Sequence, residues 1–123
     1  MTTEITVLRQ PLFVVQTPYP ATPKVVCFKD TWERKFVPAG RVQQDTKRIV
    51  ISTLEKPSAI CLGTSNPGYL AFVNASDVSQ GSGHPYVVFV DPNANLLPTV
   101  ASIGPRREYK DLKEHTILWL PES

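Results

Sequence analysis

The sequence predicts a mainly β fold: a small β-barrel or β-sandwich with one short helix and an extended, proline-rich N-terminal arm. Three observations carry this. Twelve prolines in 123 residues are about twice the usual share of roughly 5%, and each removes a backbone donor and clashes inside a helix. The apolar residues fall in runs of strand length, separated by clusters of Gly, Pro, Asn and Ser, which is the rhythm of a small barrel or sandwich. A hydrophobic share of 41% against 20% charged residues suits one globular domain with a real core, and the length is too short for two of ordinary size.

The chain begins with two apolar segments, TEITVL (3–8) and LFVVQ (12–16), parted by Gln10-Pro11. Prolines at 11, 18, 20 and 23 disfavour the centre of a sheet, where a strand needs N–H groups on both sides, and leave an edge strand or an extended arm. The spacer QTPYPATPK (16–24) favours polyproline II, which costs little entropy to hold. The expected division is therefore an arm over 1–23 and a single β-rich domain over 24–123. KVVCFK (24–29) opens that domain. DTWERKF (30–36) fits either a turn of helix or a loop in which Trp32 and Phe36 plug the barrel.

KRIVISTL (47–54) alternates, with Ile49 and Ile51 on one face and Val50 and Leu54 on the other, and its β-branched content predicts a strand. SAICLG (58–63), YLAFV (69–73), YVVFVD (86–91) and HTILWL (115–120) predict four more, punctuated at TSNPG, QGSGHP and DPNAN. Asn-Pro-Gly in TSNPGY supplies a fixed φ followed by a residue free to take a positive one, so a hairpin is expected there. In VNASDVS (73–79), Asn74 and Ser76 are candidate caps for a single helical or 3₁₀ turn. The stretch GYLAFVNASDV (68–78) resembles the end of an SH3-type barrel, where a strand enters one such turn. That resemblance implies an SH3-like barrel as one form of the fold, although the acidic and aromatic peptide-binding positions of such domains are missing. RREYKDLKEH (106–115) follows Gly104-Pro105 and predicts the one short helix, clipped to the body by Tyr109 and Leu112.

Charge and motif content narrow the function. A net charge of +2 does not by itself call for nucleic acid or anionic lipid. Residues 57–105 hold no Lys or Arg and only two acids, Asp77 and Asp91, so this stretch is expected to be interior or to face something other than bulk water. No apolar run approaches the roughly 20 residues of a bilayer span, so no membrane partner is expected. The N-terminus lacks a cationic start and apolar block, and cytoplasmic synthesis without export is the expectation. On that basis Asn74-Ala75-Ser76 is an accidental match to the glycosylation pattern. Cys27 and Cys61 sit in apolar runs and read as small buried hydrophobes.

Catalytic and metal-binding patterns are scarce. There is no Walker A loop, Gly-x-Ser-x-Gly, GxGxxG or HExxH, and no cofactor is implied. A cysteine nucleophile paired with His84 would lie in an apolar strand, where the thiolate is disfavoured. Two cysteines and two histidines, His84 and His115, lack the close spacing of a zinc site. His84 in GSGHPY is expected to be exposed in a flexible turn. The chain is therefore expected not to be an enzyme.

The favoured expectation is a structural or assembly protein that docks on itself or on a larger repetitive partner, for example a virion decoration or head-to-tail joining component. The partner-binding residues would be Leu12, Phe13, Val14 and Val15 as apolar anchors, with Pro18, Tyr19 and Pro20 in the stiff strap behind them. A second expectation is a single-stranded nucleic-acid-binding barrel. There Arg34-Lys35, Arg41, Lys47-Arg48 and Arg106-Arg107 would converge beside Trp32, Phe36 or Tyr109 as stacking faces. A third is a small protein inhibitor of a host enzyme or signalling system. YPATP (19–23) as the ligand of an aromatic groove explains less.

Overall fold

The computed structural model describes residues 9–64, 66–75, 83–93 and 97–121. The segment 3–8, Ser76 in VNASDVS, and parts of TSNPG, QGSGHP and DPNAN lie outside the described residues. Seven strands are present among the described residues: β1 (Pro11–Gln16), β2 (Lys24–Phe28), β3 (Ala59–Leu62), β4 (Leu70–Asn74), β5 (Tyr86–Asp91), β6 (Thr99–Pro105) and β7 (Ile117–Trp119). They form one mixed sheet in the order β1-β2-β6-β5-β4-β3-β7. The sheet is open, with β1 and β7 at its two ends, so the expected barrel or sandwich gives way to a single curtain of strands.

Residues 11–16 join that sheet. Val14 faces Val26 and Val15 faces Val25 in an antiparallel β1–β2 hairpin. The proline spacer is the hairpin's connection, closed on itself by Thr17 N–H to the Pro23 carbonyl at 2.9 Å and Thr22 N–H to the Tyr19 carbonyl at 3.0 Å. The Thr17 hydroxyl donates to the Thr22 carbonyl at 2.6 Å and accepts from Tyr19 N–H at 3.2 Å. The stiff segment thus turns the chain back on itself. Of the two places the prolines left open, residues 11–16 take the edge strand and not the extended arm that was expected: among the described residues β1 has a neighbour on one side only and tolerates Pro11.

The helix α2 spans Thr46–Glu55, where the alternation of KRIVISTL predicted a strand. Thr46, Ile49, Val50, Thr53 and Leu54 are all buried, and their spacing of three, four, seven and eight is the stripe of an amphipathic helix. The period of burial overrides β-branched propensity here. Pro57 follows and stops the helix from continuing. A second, short helical segment runs as α1 (Lys29–Thr31) into one π-helical turn, Trp32–Phe36. It buries Trp32 and Phe36, the residues expected to act as a plug.

The sheet carries core on both faces. On one, Val15, Val25, Cys27, Ile60, Phe72, Val88, Val90 and Ile103 pack with Ile49, Val50 and Leu54 of α2 and with Trp32 and Phe36. The other face has a smaller cluster of Ala59, Cys61, Ala71, Val73, Val87 and Tyr109. Tyr109 belongs to a 3₁₀ turn, Arg107–Tyr109, followed by a second at Leu112–Glu114. These two turns stand where one short helix was expected; Tyr109 and Leu112 still clip the segment to the body. The charge-poor stretch 57–105 holds β3 to β6, the four strands at the centre of this core.

The expected strand HTILWL shortens to Ile117–Trp119, and β6 forms where none was predicted. Gly104-Pro105, read as the start of a helix, ends this strand instead. Pro105 pairs with Tyr86, and Arg106 N–H reaches the Pro85 carbonyl at 2.9 Å. In that alternation the polar groups of Pro105 point away from β5, towards a side where no strand receives them, so its missing N–H costs nothing.

Candidate anion-binding site

β6 is flanked by β5 along its length but meets β2 through a single parallel pair, Val26 with Thr99. Past Thr99 the two strands diverge, and the carbonyls on that side of β6 lack a ladder partner. Buried or half-buried carbonyls need donors. Three cations supply them: Lys35 Nζ donates to the Ala101 carbonyl at 2.5 Å, Arg41 Nη1 to Ile103 at 3.3 Å and Arg106 Nη1 to Pro105 at 3.0 Å. The π-helical segment carries Lys35, the turn after it brings in Arg41, and β6 itself leads into Arg106.

Gly104 sits between the two arginines with φ +143°, a conformation few side-chain-bearing residues adopt. A Cβ built there would stand 2.6 Å from Arg41 Nη1 and 2.7 Å from Arg106 Nη1. The guanidinium groups therefore lie side by side over the glycine. Arg106 is held further by Nη2 to the Ser102 hydroxyl at 3.2 Å and by the Phe89 ring, 5.4 Å from its guanidinium carbon. Burial, and then the neighbouring Arg41 charge, keep the Arg106 pKa below its ordinary value, with Glu108 acting in the opposite direction. Among the described residues the ion pair formed is Arg9 with Asp30, at 2.7 Å; no carboxylate stands at ion-pair distance from Lys35, Arg41 or Arg106. A cleft of about 280 Å³ opens here, lined by Gly40, Arg41, Gln43, Tyr86, Gly104 and Pro105.

Of the cations expected to converge, Lys35, Arg41 and Arg106 do so, while Lys47 and Arg48 lie on the exposed side of α2. The expected stacking faces do not: Trp32, Phe36 and Tyr109 are 9%, 2% and 1% exposed. The half-buried rings beside the cations are Phe89 and Tyr69, and neither follows from spacing in the sequence. Gly104 was missed because a glycine before a proline reads as a helix boundary.

The apolar anchors proposed for a partner are mostly used within the chain. Val15 is 4% exposed, and Leu12, Phe13 and Tyr19 pack on the main core, Phe13 edge-on to Trp32 at 6.1 Å. Pro18 and Pro20 are exposed on the hairpin connection. Val14, 54% exposed, is the one apolar anchor that faces outward. Cys27 and Cys61 are buried free thiols on opposite faces of the sheet. Burial pushes the Cys27 thiol up to about 12, with Asp30 adding to the effect, and pushes Cys61 up as well.

His84 is half-buried, not exposed. No helix among the described residues is long and apolar enough to cross a membrane. Comparison with protein-family models, with curated proteins and with solved structures finds no match for this chain.

Proposed function

We propose that this chain is a binding protein for phosphate-bearing polymers, with single-stranded nucleic acid as its ligand class. The observation that carries the reading is the pair Arg41 and Arg106 held against each other over Gly104, with no carboxylate of the described residues at ion-pair distance from either. Placing two guanidinium groups together is electrostatically costly, and an anion between them removes that cost. Arginine presents a fork of five N–H donors that fits a phosphate; Arg41 spends one on the Ile103 carbonyl and Arg106 spends two, on the Pro105 carbonyl and the Ser102 hydroxyl, which leaves donors on both for an anion. Lys35 extends the positive track along the same strand.

The test is titration of a labelled single strand at several salt concentrations. Three phosphate contacts give a slope of log affinity against log salt of about −2, and each of Arg41→Ala and Arg106→Ala flattens it by about 0.7. Binding that ignores salt, or variants that bind like the parent, would remove this function.

The assembly role is the second reading. Its support is Val14, exposed on the outer strand of an open sheet, where a further strand can add to the ladder.

A further inference from the structure

Arg106 lines a second cleft and adjoins the first at Gly104. One side of its guanidinium faces Arg41 across Gly104. The other borders a cleft of about 190 Å³ formed by Asn66, Tyr69, Phe89, Ser102, Arg106 and Glu108. We infer that this second cleft is a nucleobase subsite, receiving one unpaired base of the strand whose phosphate lies at Arg41 and Arg106. The inference rests on the phosphate reading above and adds to it what the neighbouring surface recognises.

The cleft has the composition a base requires. Tyr69 and Phe89 are half-buried and supply flat apolar surface, and every base has a face that stacks on such rings. Phe89 is braced from behind by Tyr109, edge-on at 5.9 Å. Tyr69 is placed by the turn before β4: its N–H reaches the Asn66 carbonyl at 2.9 Å, and its own carbonyl accepts from Gly63 N–H at 2.9 Å. The polar rim offers both kinds of partner for a base edge. Asn66 Oδ1 accepts from Gly68 N–H at 3.1 Å, which leaves the amide nitrogen as a donor, and the exposed Glu108 carboxylate is an acceptor. Arg106, fixed by Pro105, Ser102 and Phe89, lines this cleft and reaches Gly104 on the edge of the first, so a phosphate bound beside Arg41 and Arg106 brings the attached nucleoside to it.

The probes are two fluorescein-labelled deoxyribose strands of about ten nucleotides, one carrying thymine throughout and one abasic throughout. The thymine strand is expected to bind about tenfold more tightly at the same salt. Tyr69→Leu is expected to bring that ratio to about one, and Tyr69→Phe, which keeps the ring, to retain it. Equal affinity of the two strands with a steep salt dependence would overturn the base subsite while leaving the phosphate track intact. A ratio that survives Tyr69→Leu would likewise overturn it. Failure of both strands to bind would remove the phosphate reading and this inference with it.

Discussion

Replacing Gly104 by alanine tests whether the backbone of β6 is what sets the arginine pair. The perturbation has two parts. At φ +143° a residue with a Cβ sits in a region close to glycine-only, at a cost of about 1–3 kcal/mol. The new Cβ also falls 2.6 Å from Arg41 Nη1 and 2.7 Å from Arg106 Nη1. Both are the far ends of flexible side chains and move aside, so this part costs chiefly the Arg41 hydrogen bond to Ile103, about 0.5–1 kcal/mol. The sum is about 1.5–4 kcal/mol, which for a domain of this size lowers Tm by roughly 6–16 °C. Urea unfolding and calorimetry of four proteins measure it: parent, Gly104→Ala, Arg41→Ala and the double variant. The strain and the displacement of Arg106 persist in the Arg41→Ala background while the displacement of Arg41 vanishes there, giving a coupling of about 0.5–1 kcal/mol between the two changes. An alanine cost below 1 kcal/mol, or a cost that disappears entirely once Arg41 is gone, would refute the reasoning.

Other changes probe the rest of the molecule. Thr53 links α2 to the sheet: its hydroxyl donates to the Ile49 carbonyl at 2.7 Å and accepts from Asn74 Nδ2 at 3.2 Å, all buried. Thr53→Val is expected to cost about 1–2 kcal/mol in urea unfolding, and a neutral result would mean that this link adds nothing. Gly63→Ala would set a Cβ 2.6 Å from the Asn66 carbonyl oxygen, which is backbone and cannot swing away. A loss of more than 1 kcal/mol is expected, and a stable variant would show that the β3–β4 turn relaxes. Both thiols are buried with raised pKa values, so a thiol reagent at pH 8 should label the unfolded chain and spare the native one. Because the folded pKa values lie above the unfolded ones, the neutral thiols contribute stability that is complete below the ordinary thiol range. It is lost as pH climbs towards about 12 for Cys27, so the stability difference between parent and Cys27→Ala should narrow as pH is raised. If β1 pairs with another strand in solution, Val14→Lys should lower the mass found by light scattering; an unchanged mass would end the assembly reading.

Several elements were legible because their cause is local. The prolines ruled out a central place for residues 11–16, and among the described residues β1 is an edge strand. The short apolar runs that became β2, β3, β4 and β5 hold enough β-branched and aromatic residues to read as strands without any partner in view. The turn of Asn66-Pro67-Gly68 between β3 and β4 reads the same way, since its chemistry lies within a few residues. What tertiary structure alone decided has causes far apart in the chain. The run 47–54 alternates like a strand, and only the curved core made by β2, β4, β5 and the Trp32–Phe36 turn selects its helical stripe for burial. The spacer at 17–23 is stiff whichever way it leads; the pairing of β1 with β2 makes it a turn. Closure of a sheet depends on how strands pair at long range, and here the divergence of β2 from β6 after Thr99 leaves a row of carbonyls open. That gap draws Lys35, Arg41 and Arg106 from separate segments to one strand, because unpaired carbonyls must find donors and those cations were within reach.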